Sequence, residues 1–235
     1  MVINNSVPRP KYKHIISMGF FCNVALELEK YGRRDGSYPF DWVISDIRSI
    51  NYLIHSNFKG LFINAALIRN IKYPYIVQNK DLNIDFYHDF KPSLEVEEQI
   101  RDVSEKYDKR ISRFYQNINE PTIFIRYIKD NEIEYWYQEG SELLSFLKDR
   151  NESNTIILIA NEDVKIETPK LINGITEVFT VKRDLNDVVA RQIIKDNYKI
   201  KEYILNAPYP IHTKLKNYVF YYNKKLRKRI KKMSL

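Results

Sequence analysis

Cysteine is almost absent: Cys22 is the single one in 235 residues. The chain therefore has no disulfide partner of its own, which fits a reducing compartment. Metal-binding spacings are missing as well, with no CxxC, HxxxH or HExxH pattern, so no metal is expected. No Walker loop or dinucleotide fingerprint is present, and no cofactor is expected. No apolar run approaches the ~18–20 residues of a spanning helix. The opening "MVINNSVPRPKYK" lacks a basic segment followed by an apolar one, so no signal peptide is expected. With these absences the protein is expected in the cytoplasm. Glycine is scarce, with six residues. Against eighteen Tyr and twelve Phe, that scarcity points to a packed globular body with few flexible loops.

Negative charge disappears near the end. From Lys214 onward there are nine Lys or Arg and no Asp or Glu, and removing those nine from the net charge of +8 leaves the body at −1. The basicity thus belongs to a tail. Pro208 and Pro210 mark its boundary, dividing the chain into an α/β catalytic-type domain over residues 1–207 and a basic amphipathic tail over 208–235.

Along the body, "KHIIS" reads as a short buried strand ending at Met18-Gly19. Val24, Ala25, Leu26 and Leu28 then start a helix whose polar side carries Glu27, Glu29 and Lys30, with Gly32 placed to stop it. After the turn-rich "RRDGSYPFDW", the stretch "DWVISDIRSINYLIHSNF" has helical spacing. Short extended pieces are expected between Asn64 and Asn83, and "IDFYHDF" alternates up to a Lys91-Pro92 break. "SLEVEEQIRDVSEKYDKRISRFYQNI" predicts a long amphipathic helix capped by Ser93. "PTIFIRYI", "NTIILIAN" and "ITEVFTV" read as strands, and "EGSELLSFLKDR" as a short helix. "DLNDVVARQIIKDNYKIKEYILN" predicts a closing helix with Asp184 at its N-cap. Strands separated by helices predict an α/β fold: a mostly parallel sheet flanked by helices in a Rossmann-like three-layer arrangement, as a single domain with a basic helical tail.

The lone cysteine falls where that fold puts chemistry. Strand, Gly19, two Phe, then Cys22 and a helix place the thiol at a helix N-terminus, where N–H groups and the helix dipole favour an anion. That setting activates a thiol, and the C-terminal edge of a parallel sheet is where ligands bind. The competing reading is a small buried hydrophobe between Phe and Val. A nucleophilic cysteine needs a base. Of the four histidines, His88 in "FYHDF" is the best placed, since His14 starts a strand, His55 lies late in a helical pattern and His212 is in the tail. Asp89 or Asp41 could orient the imidazole. The alternative for Asp41 is a cap on the helix starting near Trp42.

These same blocks resemble a known family. Ser17, Met18, Gly19 and Cys22, then Ser37, Pro39, Phe40, Asp41 and Trp42, then His88, Asp89 and Phe90, then Phe124, Ile125 and Arg126 are similar to the motifs of a bacterial family of unknown function described as "putative papain-like cysteine peptidases". The match runs roughly over residues 14–160. The resemblance implies Cys-His thiol chemistry with Cys22 as nucleophile and His88 as base. Papain-like enzymes set the nucleophile helix against a mostly antiparallel sheet, whereas this chain reads as alternating α/β.

The expected function is a cysteine-dependent hydrolase. Backbone N–H groups around Phe21 to Asn23, at the Gly19 turn, would hold the oxyanion. Arg126 at the end of "TIFIR", with Arg33 and Arg34, and Ser37 in the loop after the first helix, are candidate substrate contacts. They suggest an alternative, an acyl- or glycosyl-transferase acting on cell-surface polysaccharide precursors. The partner is then a small-molecule, acyl or glycan substrate. A non-enzymatic binding module is a third reading. In the tail, Leu215, Tyr218, Val219, Tyr222, Leu226 and Ile230 recur at helical spacing among cations. This predicts attachment of residues 214–232 to an anionic membrane surface at the inner face of the membrane. With a near-neutral body and no nucleic-acid motif, nucleic acid is the weaker partner.

Overall fold

The computed structural model describes residues 12–165, 177–182, 193–207 and 211–233. Two four-stranded sheets organise it. The first joins β1 (His14–Ser17), β6 (Thr122–Tyr127), β7 (Thr155–Asn161) and β8 (Glu177–Val181) in that spatial order, all parallel. The second is antiparallel, in the order β2 (Val43–Ser45), β5 (Ile84–Phe86), β4 (Val77–Asn79) and β3 (Leu67–Arg69). The fold is α/β with a mostly parallel sheet flanked by helices, as the alternation predicts, and the antiparallel sheet is an addition to it.

The central parallel strands β6 and β7 are buried along their whole length because both faces are covered. Side chains on a strand alternate between faces, and the two cores follow that period. Ile15, Ile123, Ile125, Tyr127, Ile157 and Ile159 pack with α1 (Asn23–Lys30), α6 (Ile193–Asp196) and α7 (Tyr198–Asn206). On the other face, Ile16, Phe124, Ile156 and Leu158 meet α2 (Ile47–His55), α3 (Val96–Asn117), α5 (Gly140–Arg150) and the antiparallel sheet. Arg126 belongs to the same register face as Phe124. It is fully buried, and its guanidinium joins the two sheets. It donates from Nη1 to Met18 O at 2.7 Å and from Nη2 to Ser45 O at 2.9 Å. It also pairs with Glu132. Glu132 in turn accepts from Ile47 N at 3.0 Å, satisfying the start of α2.

Several sequence expectations are corrected. "DWVIS" is not helical: Val43 and Ser45 are buried and pair with β5, and α2 begins only at Ile47, capped by Asp46, which accepts from Arg48 N. Asp41 therefore caps no helix at Trp42. Ser93 does not cap α3. That helix starts after Glu95, and Gln99 binds the preceding turn by donating to Lys91 O, Leu94 O and Glu95 O while accepting from Lys91 N. A second helix, α4 (Ile133–Gln138), precedes α5 and buries Tyr135 and Trp136. The closing helix is divided at Asn197, whose side chain accepts from Ile200 N to open α7, while Asp184 lies outside the described residues.

On α1, Val24, Ala25 and Leu28 are buried as the pattern predicts, but three positions depart from it. Leu26 is 46% exposed, whereas Glu27 and Glu29 are buried. Glu27 accepts from the backbone N–H groups of Ile194 and Lys195, both at 2.9 Å. Glu29 binds Arg34 at 3.1 Å and Lys224 at 2.8 Å. Lys224 lies on the C-terminal helix α8 (Ile211–Met233). That helix lies against the end of α1 at Gly32, whose positive φ of 64° suits glycine. A Cβ there would stand 2.7 Å from the Tyr218 ring and 2.9 Å from Lys214 O.

At the N-terminal edge, His14 is tied to Asp35 at 2.5 Å and to Glu120 at 3.1 Å. Burial alone would lower its pKa, but the hydrogen bonds and charges of Asp35 and Glu120 prevail and raise it. A raised folded-state value means protonated His14 favours the fold. That contribution is full below the unfolded value of ~6.5 and is lost as pH rises through the folded one. Stability measured by urea unfolding should fall from mildly acidic to mildly alkaline pH, and a His14→Gln variant should flatten that fall. An unchanged slope in the variant would refute the assignment.

Candidate active site

At the C-terminal edge of β1 the chain leaves one sheet and meets the other. Met18 N donates to Ile125 O at 2.8 Å, Phe20 N to Tyr127 O at 3.2 Å, and Ser45 N to Phe20 O at 3.3 Å. Gly19 sits at the junction with φ of +78°, followed by a cis peptide bond to Phe20. A Cβ on Gly19 would lie 2.8 Å from Ser45 Oγ and 3.0 Å from Arg126 Nη1, so glycine is required by space as well as by backbone conformation.

Three residues after Gly19, Cys22 forms the N-cap of α1, its carbonyl accepting from Leu26 N at 3.0 Å. The thiol is half-buried, and Sγ lies 3.9 Å from Asn23 Oδ1. Burial pushes the Cys22 pKa up from its ordinary value, with its own backbone N–H opposing in part. The resting group is therefore a thiol at neutral pH, not a thiolate, which differs from the activation that helix position alone suggests.

His88 follows β5 in a bend and is exposed. Its ring meets Trp42 edge-on at 6.1 Å and Tyr87 at 5.9 Å. Phe21, next to Cys22, meets Tyr87, next to His88, at 6.0 Å. The cysteine and histidine segments thus adjoin through a pair of aromatic rings. Among the described residues no hydrogen bond joins the Cys22 thiol to the His88 imidazole. Catalytic hydrogen bonds are often long or absent before substrate binds.

The other candidates take different places. Asp89 does not orient His88: its carboxylate, 2% exposed, turns to α3, where it binds Lys106, accepts from Tyr107 OH at 2.9 Å and faces Arg110 at 3.8 Å. Asp41 is also turned away, accepting from Tyr38 N at 2.8 Å and from Arg34 Nη2 at 2.6 Å. Burial raises the Asp41 pKa, opposed by Arg34, the Tyr38 N–H and Arg110. Arg34 is itself enclosed. It bridges Asp41 and Glu29, donates to Ser37 Oγ at 2.9 Å, and lies 5.1 Å over the Trp42 ring. Ser37 further accepts at its carbonyl from Arg113 at 2.6 Å. Arg33 is buried and donates to Leu205 O. Gly19, Phe21, Cys22, Asn23 and His88 therefore gather at one edge. Arg34, Ser37, Asp41, Asp89 and Arg126 build the frame behind it. Asp41 holds Arg34, Arg34 lies over the Trp42 ring, and His88 meets the edge of that ring.

The sequence reading missed an aromatic row. Tyr87 meets Tyr75 at 5.5 Å, and Tyr75 meets Tyr73 at 6.0 Å, with Tyr73 and Tyr75 each 41% exposed. The signal for it was the pair of tyrosines two apart in "YPYIV". Asp85 is half-buried beside this row, and burial raises its pKa against the Gln78 hydrogen bond and the Lys129 charge. Lys129 also lies 5.7 Å over the Phe20 ring. Among the described residues no group of three or more His, Cys, Asp or Glu could hold a metal ion.

Comparison with known proteins adds the family. A protein of Acanthamoeba polyphaga mimivirus, named "Uncharacterized protein R408", is 31% identical over 166 residues, covering 60% of this chain and 73% of that protein. No solved structure matches. The family model described as "Putative papain-like cysteine peptidase (DUF1796)" matches residues 13–163. That span runs from the start of β1 past the end of β7 and contains every residue of the site, and the chain belongs to this family.

Proposed function

We propose that the protein is a cysteine-dependent hydrolase in which Cys22 is the nucleophile and His88 the general base. The observation that carries this is the placement of Cys22 at the start of α1, at the C-terminal edge of the parallel sheet, beside the His88 segment through the Phe21–Tyr87 contact. The family description supports the coarse hydrolase reading. Because Cys22 rests as a thiol, its proton leaves as it attacks. Sγ bonds to the substrate carbonyl carbon while the imidazole takes the thiol proton. The carbon–leaving-group bond then breaks, and the leaving group takes that proton. Water cleaves the thioester, releasing the acid and restoring the thiol. Backbone N–H groups of the Phe21–Asn23 turn hold the oxyanion.

The row of Tyr87, Tyr75 and Tyr73 offers flat apolar faces leading away from the site, which suits an acyl chain or a sugar ring. Arg34 and Arg126 are not substrate contacts, because both guanidinium groups are enclosed by protein partners. The test is acyl loading. Incubation with peptide thioesters and with acyl-CoA should leave an adduct on Cys22 by mass spectrometry, and a folded Cys22→Ser variant should show none at that position. Absence of an adduct with every donor would overturn the enzyme reading.

A further inference from the structure

Helix α8 presents two different faces. Lys214, Asn217, Tyr218 and Tyr221 are half-buried on the side turned to the body, where Gly32 approaches Tyr218 closely and Lys224 pairs with Glu29 at 2.8 Å. On the outward side, Ile211, Leu215, Val219, Tyr222, Leu226 and Ile230 are each 56–74% exposed. Their spacing of three and four residues places them along a single stripe. Exposed Lys216, Lys225, Arg227 and Arg229 border it, and the segment from Lys214 onward contains no acidic residue. No helix among the described residues is long and apolar enough to cross a membrane.

We infer that the outward face of α8 lies in the headgroup region of an anionic membrane, with the six apolar side chains entering the interface and the bordering cations meeting lipid phosphates. A stripe of this kind, apolar along its length and flanked by lysine and arginine, is what binds a helix parallel to a bilayer surface. Nucleic acid fits the charge but not the stripe, because phosphate recognition would leave six large apolar side chains in water. A second copy fits the stripe but not the charge, because two such helices face to face would bring their cations together. The opposite face of α8 is fixed to α1 by Lys224 and Glu29, so docking would also set the orientation of the body.

Vesicle sedimentation of the full chain tests this. It should pellet with vesicles of phosphatidylcholine plus phosphatidylglycerol, stay in solution with phosphatidylcholine alone, and be released by salt. A Val219→Glu/Leu226→Glu variant should stay in solution with both. A Lys216→Glu/Arg227→Glu variant should bind the anionic vesicles roughly tenfold or more weakly. All four positions are exposed, and circular dichroism with thermal unfolding checks that each variant keeps the fold. Equal sedimentation with both vesicle types, no sedimentation with either, or wild-type behaviour of the apolar variant would overturn the inference. So would self-association by analytical ultracentrifugation, or nucleic-acid retention, that these substitutions abolish in a chain that binds no vesicles.

Discussion

A His88→Ala variant should acylate Cys22 ~10²- to 10⁴-fold more slowly than the wild-type chain, the usual contribution of a positioned general base. The ring is exposed and, among the described residues, meets aromatic edges, so its removal should leave the fold intact, with thermal unfolding as the control. The pH dependence separates the proposed role from a structural one. Burial raises the Cys22 pKa, so iodoacetamide alkylation of the resting protein should climb with pH and level off above the ordinary thiol range. That profile belongs to the thiol and its burial and should be nearly the same in His88→Ala. Acylation by a thioester at neutral pH should fall in the variant, because there the proton must leave with help. An alkylation plateau already present below neutral pH in the wild type would mean a preformed thiolate. Equal acylation rates in the two proteins would remove His88 from the mechanism.

The placement of this pair shows what the sequence carries and what it hides. Strands β6 and β7 were legible as continuous apolar runs, because a strand covered on both faces needs no polar alternation. From those runs and the intervening helices, the parallel sheet and the thiol at its edge followed. The antiparallel sheet was legible only in part: extended pieces were expected between Asn64 and Asn83 and in "IDFYHDF", where β3, β4 and β5 lie, but strands of three residues are too short to reveal their pairing. Val43–Ser45 was hidden further by running almost directly into α2, so its apolar residues merged with a helical pattern.

Charged residues misled for a different reason. Glu27 and Glu29 have the local look of a solvated helix face, yet their partners are Ile194, Lys195, Arg34 and Lys224, most of them far along the chain. Asp41 and Asp89 sit in motif blocks beside the site, and proximity in sequence made them candidates to orient His88. The fold turns both carboxylates inward, to Arg34 and to α3, where burial demands a cationic or hydrogen-bonding partner. What a motif block marks here is as much the frame as the chemistry.

Arg126 is the extreme instance of that frame, and Arg126→Ala should destabilise the protein by about 3–5 kcal/mol, the cost of breaking a buried pair from one side. Its side chain is fully buried and satisfies Glu132, Met18 O, Ser45 O and Ser45 Oγ at once. Truncation leaves the Glu132 carboxylate without its cation and removes a donor from the Met18 and Ser45 carbonyls. Arg126→Lys should recover little, because a single ammonium cannot reproduce the planar fork that reaches β1, β2 and Glu132 together. A Glu132→Gln partner distinguishes pairing from packing. It removes the charge while keeping an acceptor for Ile47 N, so Arg126→Ala/Glu132→Gln should cost less than the two single changes added. Urea unfolding measures all four proteins. If Arg126 instead served substrate, Arg126→Ala would unfold like the wild type and show its effect in KM. On the framing account stability falls first. Acylation of Cys22 falls with it, because the same guanidinium holds the Gly19 turn and Ser45 against which the nucleophile's loop is set.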